Sequence, residues 1–382
     1  MSEEKKRFYF IDQFRGWAVL FMVETHVLNA FLSTKLRPAF AYKALDFVNG
    51  LVAPAFLFIA GFSFAIVAMR RWDEYLRLGP SFWKQCGRCL QILLIGYLLH
   101  VPRFSLRHLL LTLHWNQRHN FWGVDVLHCI ALSLLLLTLL VLVWRRPRFY
   151  FTFLVVAALA VSLLTPLIFS LPIETLLPSA VSGFLKRQPY SQFSLFPWMA
   201  FVWLGASVSW LWQKARQAAV EARFFRLLFA GGMALVAMFF IVILKTQAPL
   251  TFGSFNPARP LFFFLKLGLV MMLISFLWWL EQKKGERPVL VTRVGQESLP
   301  AYAFHIVVIY GGFFGPFGHS LDFLIGRTCS WTEVALMTLA LSLATVALVM
   351  AWHGLKKSRP VLAGCVFWVG VLTLTAVLAF RS

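Results

Sequence analysis

Charged side chains are scarce in this chain of 382 residues. Asp, Glu, Lys and Arg together make up 13%, about half the share of a soluble globular domain. That shortage excludes an ordinary water-soluble fold. Acid is the scarcer sign, with 15 Asp and Glu against 36 Lys and Arg, a formal charge of +21. Cysteine is also sparse: Cys86, Cys89, Cys129, Cys329 and Cys365. The Cys86-Gly-Arg-Cys89 pair has a redox or metal spacing, but no second pair completes a zinc site. The thiols therefore read as reduced and structural, and no metal is expected. Long polar stretches are missing too, so no soluble domain of ordinary size fits between the apolar runs. The first apolar run is too long for a signal peptide, is broken by charge and lacks a small-residue cleavage site, so it reads as retained. Neither a heptad nor a solenoid period is visible.

What fills the chain is apolar. Hydrophobic residues reach 60%, mean hydropathy is +0.74, and there are 40 Phe and 15 Trp. This is the composition of membrane helices with aromatic belts. A hydrocarbon core needs about 20 apolar residues per helix. On that rule the spans are 10–32, 48–69, 86–101, 122–144, 149–170, 193–213, 227–245, 260–280, 298–317, 332–353 and 361–380. The fold expected is an all-α, polytopic transmembrane helix bundle of about eleven spans, one domain covering 1–382. The third span starts among polar residues, and the ninth is interrupted by glycines and Pro316. Lys and Arg crowd the loops on the amino-terminal side, including Lys5-Lys6-Arg7, Arg70-Arg71, Arg145-Arg146 and Lys283-Lys284. The amino terminus is thus expected in the cytoplasm and the carboxyl terminus outside. Short loops fit a bacterial inner (plasma) membrane. The basic excess suits anionic lipid, or an anionic cofactor at some of the loops. It is spread too widely for nucleic acid.

Polar residues inside the spans carry the functional signal. Asp12, Arg15, Glu24 and His26 all fall in the first span. Ionisable groups at membrane depth are costly unless paired or facing a cavity. Arg15 and His26 are eleven residues apart, close to three turns, so they share a face about 16 Å apart along the axis. Topology sorts the polar residues by depth. His26, Asp46, Asp125, His128 and Lys266 form an outer group. Asp12, Arg15, Ser298 and His305 form an inner one.

Asp12 and Arg15 stand at i, i+3, where a helical ion pair forms; alternatively, Arg15 meets an anion from the cytoplasm. His26 is placed to bond Glu24 or Asp46. Asp125 one turn before His128 is the arrangement of a carboxylate orienting a general base. Paired histidines in a bundle also ligate haem or metal, and buried charges also line transporter paths, so a secondary transporter is the alternative function. His100, His108, His114 and His119, with Trp115 and Trp122, read as an interfacial loop.

Five segments, in order, resemble a known family. Phe10-Ile-Asp12-Gln-Phe-Arg15-Gly16, followed by Met22 and His26, resembles the opening of the heparan-α-glucosaminide N-acetyltransferase-like membrane proteins. It also resembles the wider transmembrane acyltransferase superfamily, which includes acyltransferase family 3. Ala53-Pro54-Ala-Phe56-Leu-Phe-Ile-Ala-Gly61, Gly123-Val-Asp125-Val-Leu-His128, Phe196-Pro197-Trp198 with Gly205, and Gly295-Gln-Glu-Ser298-Leu-Pro-Ala-Tyr302-Ala-Phe-His305 resemble its later motifs. The resemblance implies an acetyltransferase that moves an acetyl group from cytoplasmic acetyl-CoA (or another acyl-CoA) to a sugar or glycan acceptor on the outer side. It implies His26 as general base or acyl carrier, with Asp125, His128 and Asp46 beside it. Asp12, Arg15, Ser298, Tyr302 and His305 would meet the cofactor, and Trp198 and Lys266 the acceptor. A homodimer is compatible with it. The chain departs from the family in two places. In the sugar acetyltransferases the position of His26 is an asparagine, with the histidine in the following loop. Here that loop, Ser33 to Lys43, has none. Cys129 stands where the family commonly has an arginine.

Overall fold

The computed structural model describes residues 8–101, 105–107, 109–110, 121–188, 191–246, 259–285, 289–311 and 319–380. His108, His114, Trp115, His119 and the glycines and proline at 312–318 lie outside them. The described chain is helical, as its apolar runs require: α1 (Tyr9–Phe31), α2 (Phe40–Asn49), α3 (Val52–Arg70), α4 (Trp72–Leu76), α5 (Pro80–Leu99), α6 (Val126–Trp144), α7 (Pro147–Ser170), α8 (Ile173–Leu176), α9 (Ser179–Leu185), α10 (Leu195–Gln217), α11 (Glu221–Thr246), α12 (Pro260–Lys284), α13 (Leu290–Gln296), α14 (Ser298–Tyr310), α15 (Leu321–Ile325), α16 (Trp331–Ser358) and α17 (Pro360–Phe380).

Every expected span has its helix. By length and apolarity alone, eight segments are able to cross a membrane: Phe40–Arg70, Val126–Trp144, Pro147–Ser170, Leu195–Gln217, Glu221–Thr246, Pro260–Lys283, Trp331–Ser358 and Pro360–Val377. The remaining expected spans correspond to α1, which carries Asp12, Arg15 and Glu24; to α5, with a polar first half; and to α14, which has 13 residues. Two expectations shift in detail. Asp46, two residues before the expected second span, is carried by a separate helix, α2, that precedes α3. The ninth span ends at Tyr310, before the glycines.

The chain forms two compact units. Unit 1 comprises Met1–Val52, Leu98–Arg118 and Trp279–Ser382; unit 2 comprises Ala53–Tyr97 and His119–Trp278. In unit 1, α1 packs on α13, α14 and α16. Its core gathers Val23, Val27, Leu28 and Phe31 of α1 with Ile309, Cys329 and Val334. A short parallel bridge closes this end, with the Ser33 N–H donating to Cys329 O at 2.9 Å and the Cys329 N–H to Phe31 O at 3.0 Å.

The α1–α13 contact is backbone against backbone. A Cβ on Gly16 would fall 2.0 Å from Val291 O, and one on Gly295 would fall 1.8 Å from Asp12 O. No side chain fits there, which accounts for both glycines.

Unit 2 is organised on α10, which packs on α7 and α6. Its interior is aromatic, with Phe58, Phe62, Tyr75, Tyr150, Phe151, Phe201 and Trp212 fully buried. Tyr150 Oη, buried among them, donates to Leu137 O at 2.9 Å. Glycines again allow close approach. A Cβ on Gly61 would meet Val202 O at 1.8 Å, and one on Gly205 would meet Phe58 O at 2.0 Å.

Candidate active site

In unit 1 the polar residues start at the first turn of α1. Phe8, the residue before the helix, offers no side-chain cap. The cap comes from far along the chain: the buried Glu281 carboxylate accepts the N–H of Tyr9 at 3.1 Å and of Phe10 at 2.9 Å. A carboxylate there also meets the positive end of the helix dipole. Asp12, itself buried, lies 3.7 Å from Arg15 Nη1, so the expected pair forms. A third member, Gln296, donates Nε2–H to Asp12 Oδ2 at 3.1 Å. The Gly295 contact makes this possible by bringing the end of α13 against α1. The Arg15 side chain keeps 23% of its surface exposed. Ser298, partly buried, opens α14 two residues beyond Gln296.

About three turns above Arg15 stands His26, partly buried. Its Nδ1 lies 3.4 Å from Tyr310 Oη, and its ring centroid is 5.3 Å from that of His305. The depth sorting had separated these two histidines. The packing of α14 on α1 puts their rings side by side, because seven helical residues lift His305 about 10 Å from Ser298. His305 is fully buried, with Nδ1 2.9 Å from Ala301 O. The buried Tyr302 ring meets it edge-on at 5.5 Å. Asp46 is partly buried on α2, which packs on α1. One turn on, buried Asn49 lies beside the Glu24 carboxylate.

In unit 2 the segment 123–128 builds its own polar cluster. Asp125 is the N-cap of α6, and its Oδ1 accepts the N–H of Leu127 at 2.9 Å and of His128 at 3.1 Å. The same oxygen lies 2.6 Å from His128 Nδ1. The Asp125 backbone N–H is also 3.3 Å from Nδ1. A ring nitrogen that donates its hydrogen has no lone pair left to accept, so the shorter contact decides: Nδ1–H donates to the carboxylate. The fully buried imidazole lies over Gly96, where a Cβ would come within 2.8 Å of the ring, and edge-on to Tyr97 at 4.3 Å between centroids.

The comparison with known proteins follows from these motifs. A family pattern described as heparan-alpha-glucosaminide N-acetyltransferase, catalytic, matches residues 7–242. The chain belongs to this family. No curated protein matches it.

Membership makes the chain an acetyltransferase, and its apolar helices make it an integral membrane protein. The matched stretch holds Asp12, Arg15, His26, Asp46, Asp125, His128 and Trp198; Lys266, Ser298, Tyr302 and His305 lie beyond it. Trp198, just after the cis Phe196–Pro197 bond, is buried against Phe193 and Phe201. Lys266 is fully buried on α12, one turn from Phe263. Three contributors escaped the sequence reading: Glu281, Gln296 and Tyr310. Gln296 follows a quoted motif glycine directly. Nothing marks Glu281, because its partners are backbone amides some 270 residues away.

Proposed function

We propose that this acetyltransferase takes an acetyl group from acetyl-CoA on the cytoplasmic side and delivers it to a hydroxyl or amine of a sugar or glycan on the outer side. One observation carries the reading: an imidazole, His26, stands partly accessible in an apolar helix, three turns beyond the Asp12–Arg15–Gln296 cluster. Arg15 and the basic loops meet the CoA phosphates, for which a guanidinium is the natural partner. The pantetheine arm follows α1, and the rise of about 16 Å from Arg15 to His26 brings the thioester to the imidazole.

The acceptor oxygen or nitrogen attacks the thioester carbonyl carbon. Its proton passes to His26, because an imidazole offers a ring nitrogen that can take a proton and give it back. The C–S bond then breaks, and the proton leaves with the CoA sulfur. Within unit 1, Asp46 is read on the acceptor side of His26, and Ser298 and Tyr302 on the cofactor side. No step needs a metal ion.

The test uses the full chain in lipid nanodiscs, radiolabelled acetyl-CoA and a panel of hexoses and hexosamines. His26→Ala is expected to lower transfer by about 10²–10⁴-fold, the usual worth of a general base, with acetyl-CoA still raising the melting temperature. Full transfer by the variant would refute the role given to His26.

A further inference from the structure

Two rings of α14 flank the His26 imidazole. The His305 ring lies 5.3 Å away between centroids, and the Tyr310 ring meets it edge-on at 5.7 Å with an interplanar angle of 80°. His305 directs its own Nδ1 to Ala301 O. Tyr310 differs, because its phenol oxygen reaches the imidazole: Oη lies 3.4 Å from His26 Nδ1. Tyr310 is the last residue of α14, and the helix stops behind it with the Gly311 N–H on Val307 O at 2.9 Å. α15 packs on α14 and on α1. Asp322 of α15 and Arg327 beyond it act on the Tyr310 hydroxyl with opposite sign.

A phenol both donates and accepts, so the contact has two forms. If Oη–H donates, Nδ1 is the acceptor and the ring hydrogen sits on Nε2, where a base needs a lone pair. If Nδ1–H donates, Nε2 holds the lone pair. The positive ring decides between them. An imidazolium carries hydrogen on both nitrogens, so its Nδ1 can only donate and the oxygen opposite must accept. The bond is then charge-assisted, shorter and stronger than the neutral one. An interaction that strengthens as charge develops lowers the barrier, whereas one equal in both states does not. The separation of 3.4 Å leaves room for that shortening, and catalytic hydrogen bonds are often long before substrate binds.

We propose that Tyr310 is a positioning residue for acetyl transfer: its hydroxyl oxygen accepts the Nδ1–H of His26 and so keeps the Nε2 lone pair for the substrate proton. This rests on the reading that His26 is the base. The acceptor O–H (or N–H) bond breaks onto Nε2 as the new bond to the acetyl carbon forms. Nδ1–H stays on Tyr310 Oη throughout. When the C–S bond breaks, the proton on Nε2 passes to the thiolate sulfur and gives CoA. Tyr310 itself neither gains nor loses a proton, and no oxidant or reductant enters.

The experiment compares wild type, Tyr310→Phe, His26→Ala and the double variant, full-length in lipid nanodiscs, with radiolabelled acetyl-CoA and the same sugars. Tyr310→Phe keeps the ring and removes only the hydroxyl. It is expected to lower kcat about tenfold, the worth of one hydrogen bond to a charged group, while KM for acetyl-CoA and the melting temperature hold. The double variant should be no slower than His26→Ala alone, as for residues acting as a unit. Nitrogen NMR of histidine-labelled protein, with His26→Ala assigning the signal, should show His26 as Nδ1–H in wild type and shifted toward Nε2–H in Tyr310→Phe. If His26→Ala keeps full rate, the underlying reading fails whatever Tyr310 does. If His26→Ala is dead but Tyr310→Phe has wild-type kcat or an unchanged tautomer, this inference alone is overturned. Should Tyr310→Phe not fold, the wild-type spectrum decides: Nδ1–H at His26 is expected, and Nε2–H would overturn the proposal.

Discussion

The two units hold their histidines by opposite means. In unit 2, the ion pair that orients His128 is local: Asp125 three residues before it caps the helix and takes its Nδ1–H. In unit 1, several of the groups that bond or flank α1 come from far along the chain. Glu281 caps it, Gln296 bonds Asp12, and His305 and Tyr310 flank His26, all some 270 residues or more away. A local site forms as its helix forms. A distant one forms only when the last third of the chain has packed. The comparison also separates two kinds of imidazole support. A carboxylate compensates a positive ring, whereas a carbonyl fixes only the tautomer.

The sharpest way to break this contrast is at Gly295. A Cβ there meets the Asp12 carbonyl oxygen at 1.8 Å, and backbone cannot rotate away. Gly295→Ala is expected to cost about 3 kcal/mol, the upper end for overpacking. It should also weaken acetyl-CoA binding, because Gln296 leaves Asp12. Thermal unfolding and isothermal titration in detergent measure the two effects. Unchanged acetyl-CoA affinity with lowered stability would mean that the Asp12 cluster is structural only.

Asp125→Ala tests the local site. It removes an N-cap, worth about 1 kcal/mol, and leaves the buried His128 Nδ1–H without its acceptor, worth about 1–3 kcal/mol. The expected loss is about 2–4 kcal/mol. Asp125→Asn keeps an oxygen for the cap and should lose about half as much stability. If the two variants melt alike, the charge and not the hydrogen bond holds the site.

Legibility from sequence follows the same division. Helices were legible because long apolar runs allow little else in a membrane. Asp12–Arg15 and Asp125–His128 were legible because one helical turn fixes their distance. Whether Asp125 caps a helix or bonds the His128 imidazole cannot be read from the spacing; one oxygen does both. The His26–His305 contact was hidden, since ranking residues by depth assumes that each span begins at the membrane edge. Glu281 was hidden because the groups it serves are backbone amides, which no sequence pattern displays.

A smaller effect is expected at Gly96. A Cβ there would come within 2.8 Å of the His128 ring, but the obstacle is a side chain. Gly96→Ala should cost about 1 kcal/mol and tilt the imidazole off Asp125. Melting temperature should fall less than in Gly295→Ala, while activity falls more for each degree lost. A variant with normal activity would place His128 among the structural residues.

The smallest effect belongs to the distant cap. Glu281→Gln leaves an oxygen for only one of the Tyr9 and Phe10 amides, which bond separate carboxylate oxygens, and removes the charge facing the helix dipole, a loss of about 1 kcal/mol. Because Glu281 is buried, salt reaches it poorly and the melting shift should be nearly the same at low and high ionic strength. An exposed charge would lose most of its effect under that change. A shift that vanishes in high salt would therefore show that the amino-terminal end of α1 opens to solvent, and that the last third of the chain holds it less firmly than Asp125 holds α6.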